Sequence, residues 1–158
     1  MAKGKQVSGK TLFNGFNAAY DRFMDSGRMS TKPDDAFFPI FEALSWAASL
    51  DDRLGIELSA TKRKDWNWHA NFPQGDVLVG VRDARNAVHH QWADALYLTS
   101  GAELPAVLPA PLFEWRWRQE LPATRGRRGR QEYGALVAGA PARMTLDTLR
   151  TLFTSAVR

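Results

Sequence analysis

Residues 75–99, GDVLVGVRDARNAVHHQWADALYLT, run for 25 residues without a proline. This stretch constrains the fold more than any other. Gly75-Asp76 supplies a start, with Asp76 as N-cap, and Gly101 and Pro105 supply a stop. The spacing predicts one long helix. At about 100° per residue, Val77, Val81, Ala84, Val88, Trp92, Ala95 and Thr99 share one arc, the expected core face. Leu78, Val79, Ala93, Leu96 and Tyr97 widen the apolar surface well beyond that stripe. Asp83, Ala87, Gln91 and Asp94 make a short solvent-like strip. A helix apolar almost all round is expected to be buried. Arg82, Arg85, Asn86, His89 and His90 lie within it, and buried polar groups need partners. Such an island marks a site of chemistry or a subunit interface.

The flanking sequence predicts more helices. Leu12, Phe13, Phe16, Ala19, Tyr20, Phe23 and Met24 recur at helical spacing between Thr11 and Ser26. Ser30 to Asp35 offers a cap, an early proline and two carboxylates, so a second helix runs from there to about Leu54. Pro39 could move its start to Asp35 or later. Residues 55–75 mix charges and tryptophans without a period and read as a loop or broken helix. Four prolines, at 105, 109, 111 and 122, make 101–124 irregular. Within it, Glu114 to Arg118 alternates charge with tryptophan, as a short strand or hairpin would. Thr145 to about Val157 is a terminal helix. The expected fold is mainly α, a bundle of about four helices with an irregular, short-stranded insertion near 101–140. A flexible basic arm, 1–10, precedes a single domain, 11–158.

Several function classes drop out. With no cysteine among 158 residues there is no disulfide, thiolate metal site or cysteine nucleophile. No apolar run reaches the roughly 18 to 20 residues of a membrane span, and no signal-peptide core follows the basic N-terminus. A cytoplasmic protein is expected, with no membrane partner. His69, His89 and His90 are the three histidines, and no H-x3-H or H-E-x-x-H spacing occurs. No metal and no cofactor are expected. The net charge of +4 is local, because residues 114–130 carry six arginines and two glutamates. Arg116, Arg118, Arg125, Arg127, Arg128 and Arg130, interleaved with Trp115 and Trp117, suit an RNA backbone and its bases. The alternative is a solvated loop that the two tryptophans anchor to the core. Arg82 adds positive potential near the histidines.

Arg85-Asn86-Ala87-Val88-His89-His90 is the motif with chemical content. It resembles the HEPN superfamily motif, an arginine, four to six residues, then a histidine, with a polar residue after the arginine. Arg85 matches the arginine, Asn86 the polar position and His90 the histidine. The resemblance covers about 25 residues. It implies a helical domain, a homodimer and metal-independent RNA cleavage in the cleft between two motifs. A ribose 2′-OH would attack the neighbouring phosphorus. His90 would act as acid or base, Arg85 as phosphate clamp, and Asn86 would orient His90. His89 is a second candidate for the histidine's work. Toxin or defence activity, with an antitoxin or regulatory partner, is implied by the same resemblance. Some HEPN toxins carry a tyrosine two residues past the histidine, which their antitoxin modifies; here Trp92 stands there, with no hydroxyl to modify.

Helix geometry alone separates Arg85 and His90 by roughly 7.5 Å of rise and about 140° of rotation. Arg85 lies closer in direction to His89, and Asn86 to His90. A second copy of the helix is therefore expected to complete the site. In the structural alternative, Arg85 and His90 pair with Asp51, Asp52 or Glu42. In the functional alternative, the chain is a non-catalytic module binding RNA or a protein partner. A DNA-binding regulator is a third reading, without a helix-turn-helix pattern to carry it.

Overall fold

The computed structural model describes residues 6–61, 63–91, 94–99, 113–122 and 129–157. Trp92, Ala93, residues 101–112 and the loop arginines Arg125, Arg127 and Arg128 lie outside the described residues. The fold is mainly helical, with one small antiparallel sheet.

Helix α1 spans Gly9–Asp25, and the Ser8 side chain caps it by accepting from the Thr11 backbone N–H. Lys10 already lies inside it. Helix α2 spans Pro33–Glu57, with proline in its first turn and Asp34 and Asp35 beside the positive helix end. Pro39 falls inside this helix near its beginning. The pair is antiparallel: Gly9 at the start of α1 donates its backbone N–H to Glu57 at the end of α2, 3.3 Å away. Gly15 lets the Trp46 ring lie on α1, since a Cβ there would sit 2.6 Å from it. Helix α3 spans Gly75–Gln91 and packs against α2, again antiparallel, with Asp51 opposite Arg82 and Phe41 opposite His89. A 3-10 turn, Trp68–Asn71, leads into it and buries the Trp68 indole.

The strands are β1, Leu96–Thr99, and β2, Glu114–Trp117, paired antiparallel with Leu96 opposite Trp117 and Thr99 opposite Glu114. Helix α4, Arg130–Glu132, continues as a π turn through Tyr133–Val137. Helix α5, Ala142–Ala156, closes the core, with the Phe16 and Phe153 rings edge to face at 5.3 Å.

Two expectations about residues 75–99 are corrected. The described helix runs to Gln91, and Leu96–Thr99 is a strand rather than its continuation. The reason lies outside the stretch: Glu114–Trp117 supplies the backbone partners, and Leu96 gains burial beside Trp117. The solvent strip is also partly wrong, because Asp83 and Ala87 are buried. The 130–137 segment packs over that side of α3. Gln91 and Asp94 are exposed, as expected.

Gly80 makes this packing possible. A Cβ there would lie 2.8 Å from the Tyr133 backbone nitrogen and 2.9 Å from the Glu132 carbonyl carbon. On an open helix face, Gly→Ala stabilises by roughly 0.4–1 kcal/mol. Here the contact is with backbone, so Gly80→Ala is expected to destabilise by about 1–3 kcal/mol. Urea unfolding reads the sign, and a stabilised variant would contradict the close approach.

Candidate catalytic site on helix α3

Arg82, Arg85, Asn86, His89 and His90 lie on the second half of α3, and the structure gives them three different settings. Arg82 faces α2, where its Nε donates to Asp51 Oδ2 at 2.5 Å and its Nη2 to Oδ1 at 2.7 Å. Asp51 Oδ1 also accepts from the Trp68 indole N–H at 2.9 Å. Both members of this two-point pair are largely buried. Arg82 is therefore charge-balanced and anchors the bundle. The Asp51 partnership expected for Arg85 in the structural alternative belongs to Arg82.

His89 lies in the α2–α3 interface. Its ring stacks on Phe41 with centroids 3.9 Å apart, and its Nε2 is 3.2 Å from both the Phe41 carbonyl and Ser45 Oγ. Burial pushes its pKa below the ordinary value, a shift the Phe41 carbonyl opposes and the Arg85 and His90 charges reinforce.

Arg85, Asn86 and His90 come together. Arg85 Nη1 is 3.1 Å from His90 Nε2 and 3.2 Å from Asn86 Oδ1. An arginine only donates, so in this pair His90 Nε2 accepts and the ring proton sits on Nδ1. Backbone rotation alone places the two residues on different faces. The long arginine side chain closes that gap, and the contact forms within one chain. His90 is exposed, whereas Arg85 and Asn86 are half-buried. Among the described residues no carboxylate forms an ion pair with Arg85. The cluster thus combines an uncompensated guanidinium, a neighbouring amide and a solvent-facing imidazole.

A cleft of about 350 Å³ opens beside this cluster, between α2 and α3. Arg85 and Asn86 form part of its wall, and Lys64 and Trp66 border it. Lys64 pairs with Asp52 and lies 3.4 Å above the Trp66 ring. Sequence reasoning missed the cleft, since Lys62-Arg63-Lys64 looks like a solvated run. The adjoining Trp66 and Trp68 carried the available signal, aromatics beside charge in an aperiodic segment.

The basic strand is arranged differently from the site. Trp115 and Trp117 are buried, their indole N–H groups donating to the Ser30 carbonyl at 2.8 Å and to Thr145 Oγ1 at 2.9 Å. They match the anchoring alternative, and neither ring presents a face to a base. Arg116 donates to the Gly139 carbonyl and pairs with Glu114 at 2.9 Å, while Arg118 pairs with Asp94 at 2.6 Å. Arg130 is exposed at the start of α4. Among the described residues, no three metal-ligating side chains gather. No described helix is long and apolar enough to cross a membrane.

His69 is buried below the site, at the entry to α3. Burial lowers its pKa, helped by the Arg82 charge and opposed by Asp51 and Asp76. The ordinary value is 6.5. Both His69 and His89 are thus harder to protonate folded than unfolded. As pH falls below about 6.5, the unfolded chain takes up these protons first, so stability drops. The melting temperature is expected to fall between pH 7.5 and 5.5, and less so in His69→Gln. A wild-type melting temperature constant or rising across that window would contradict it.

No family model, curated protein or solved structure matches the chain.

Proposed function

We propose that the chain is a metal-independent endoribonuclease of HEPN type, acting through Arg85, Asn86 and His90. One observation carries the reading: an exposed histidine, His90, accepts at Nε2 from an arginine, Arg85, that has no carboxylate partner among the described residues. A phosphodiester oxygen can replace Nε2 as the acceptor of the Arg85 N–H. That exchange frees the Nε2 lone pair for a ribose 2′-OH.

The 2′-oxygen then bonds to phosphorus as His90 takes its proton, and the bond from phosphorus to the 5′-oxygen breaks. The leaving oxygen is protonated by His90 of the partner subunit or by water. Arg85 stabilises charge on the phosphate oxygens through this change. Asn86 steadies the guanidinium through its Oδ1. A two-fold dimer that faces two such clusters supplies both proton-transfer groups. A role in growth arrest or defence, with a regulatory protein partner, follows from the motif resemblance. Trp92 argues against control by modification of a tyrosine hydroxyl at that position.

The test is cleavage of total RNA and tRNA by purified protein in EDTA, with analysis of the ends. The expected products carry 2′,3′-cyclic phosphate and 5′-hydroxyl ends. Cleavage that needs added metal, or that leaves 3′-hydroxyl ends, would overturn the reading.

One observation favours a second reading, a non-catalytic module that docks a protein. Phe38 is exposed and meets the Phe37 ring edge to face, and Phe37 is tilted against Phe41, on which His89 stacks, an apolar surface near the cluster.

A further inference from the structure

The α2–α3 cleft does more than border the cluster. We propose that it is a nucleoside subsite, which takes the base and sugar attached to the phosphate that Arg85 holds. This inference rests on the ribonuclease reading for its place in catalysis, but its binding chemistry stands on the cleft itself.

Arg85 belongs to both features: it touches His90 and it lines the cleft. A phosphate at its guanidinium therefore has the cleft mouth beside it. The volume, about 350 Å³, lies within the usual range for small-ligand sites. Its lining is two-sided. Leu44, Ala47, Leu78 and Val81 form a packed floor, each no more than 2% exposed, and the Trp66 ring, 49% exposed, is the apolar surface that a flat heteroaromatic ring can cover. Polar groups stand around that floor. Arg82 Nη1 and Arg85 Nε are buried and have no acceptor. Buried N–H groups of this kind want an acceptor, and ring nitrogens, carbonyls and ribose hydroxyls provide them.

Charge narrows the ligand class. Among the described residues that line the cleft, Asp51 is balanced by Arg82 and Asp52 by Lys64, which leaves Arg85 as the cation over. The complementary ligand has one anionic group and a planar polar body. A nucleoside monophosphate has both. Inorganic phosphate has the charge alone and leaves the Trp66 ring uncovered.

The test uses calorimetric titration of the full chain with the four nucleoside 3′-monophosphates and with inorganic phosphate. At least one nucleotide is expected to bind about tenfold tighter than phosphate, or better. Ala48 lines the cleft and is half-buried, so Ala48→Phe fills the space. It is expected to erase the nucleotide preference and keep phosphate binding. Trp66→Ala is the second variant, because Trp66 is 49% exposed and its loss leaves the core intact. It is expected to weaken nucleotide binding more than phosphate binding. Equal affinity for nucleotides and phosphate in the wild type would overturn the subsite, as would an undiminished preference in folded Ala48→Phe or Trp66→Ala protein. RNA cleavage separates the two readings. Nucleotide preference without cleavage keeps the subsite and removes the nuclease. Cleavage with no nucleotide preference keeps the nuclease and removes the subsite.

Discussion

Replacing Arg85 by alanine is expected to lower the rate of RNA cleavage by about 10²–10³-fold, with little change in melting temperature. The size follows from the loss of one donor to charge that develops on phosphorus-bound oxygens. The small stability effect follows from the contacts: Nη1 donates to Asn86 and to an exposed histidine, and no ion pair is broken among the described residues. Arg85→Lys is expected to recover part of the rate. Lysine restores the charge but not the planar fork that meets two oxygens at once. Rates on a defined RNA, beside thermal melts of the three proteins, check this. An alanine variant that cleaves at the wild-type rate would contradict the clamp. One that loses activity only because it unfolds would return Arg85 to a structural role.

Asp51→Ala is expected to act in the opposite way, through stability. It leaves the Arg82 guanidinium and the Trp68 indole N–H without their acceptor in a largely buried setting. Breaking one half of a buried pair costs about 3–5 kcal/mol. For a chain of this size the melting temperature should fall by roughly 10 °C. Replacing both partners removes the stranded charge, so Asp51→Leu with Arg82→Met is expected to recover most of the loss. Thermal melts of the single and double variants decide it. A single variant within about 1 kcal/mol of wild type would show that the pair contributes little.

The difference between Arg82 and Arg85 was not legible in the sequence. Both sit on one helix three residues apart, and only the position of Asp51 on α2 separates them. Where local pattern decides, the sequence is informative. The Asp34-Asp35 helix start and the alternation in Glu114–Trp117 both express short-range physics, whereas the Ser8 cap lies in the segment read as a flexible arm. Leu96–Thr99 fails that logic. Its spacing continues the helix, yet its backbone hydrogen bonds go to a strand some twenty residues away. Asp83 and Ala87 fail for a similar reason, since a polar strip on a helix says nothing about a later segment that covers it. The cleft was hidden because its walls come from α2, α3 and the loop with Lys64 and Trp66. The Arg85–His90 contact was obscured by reasoning from backbone direction, when the arginine's reach sets the distance.

The central claim is that His90 transfers the proton. The direct measurement compares RNA cleavage by wild type and His90→Ala, prepared identically, in EDTA. His90 is exposed, so the variant should fold and melt as the wild type does. Loss of a positioned acid/base group predicts a drop of about 10²–10⁴-fold in cleavage rate. Equal cleavage by both proteins, or none by the wild type across total RNA and tRNA, would contradict the account.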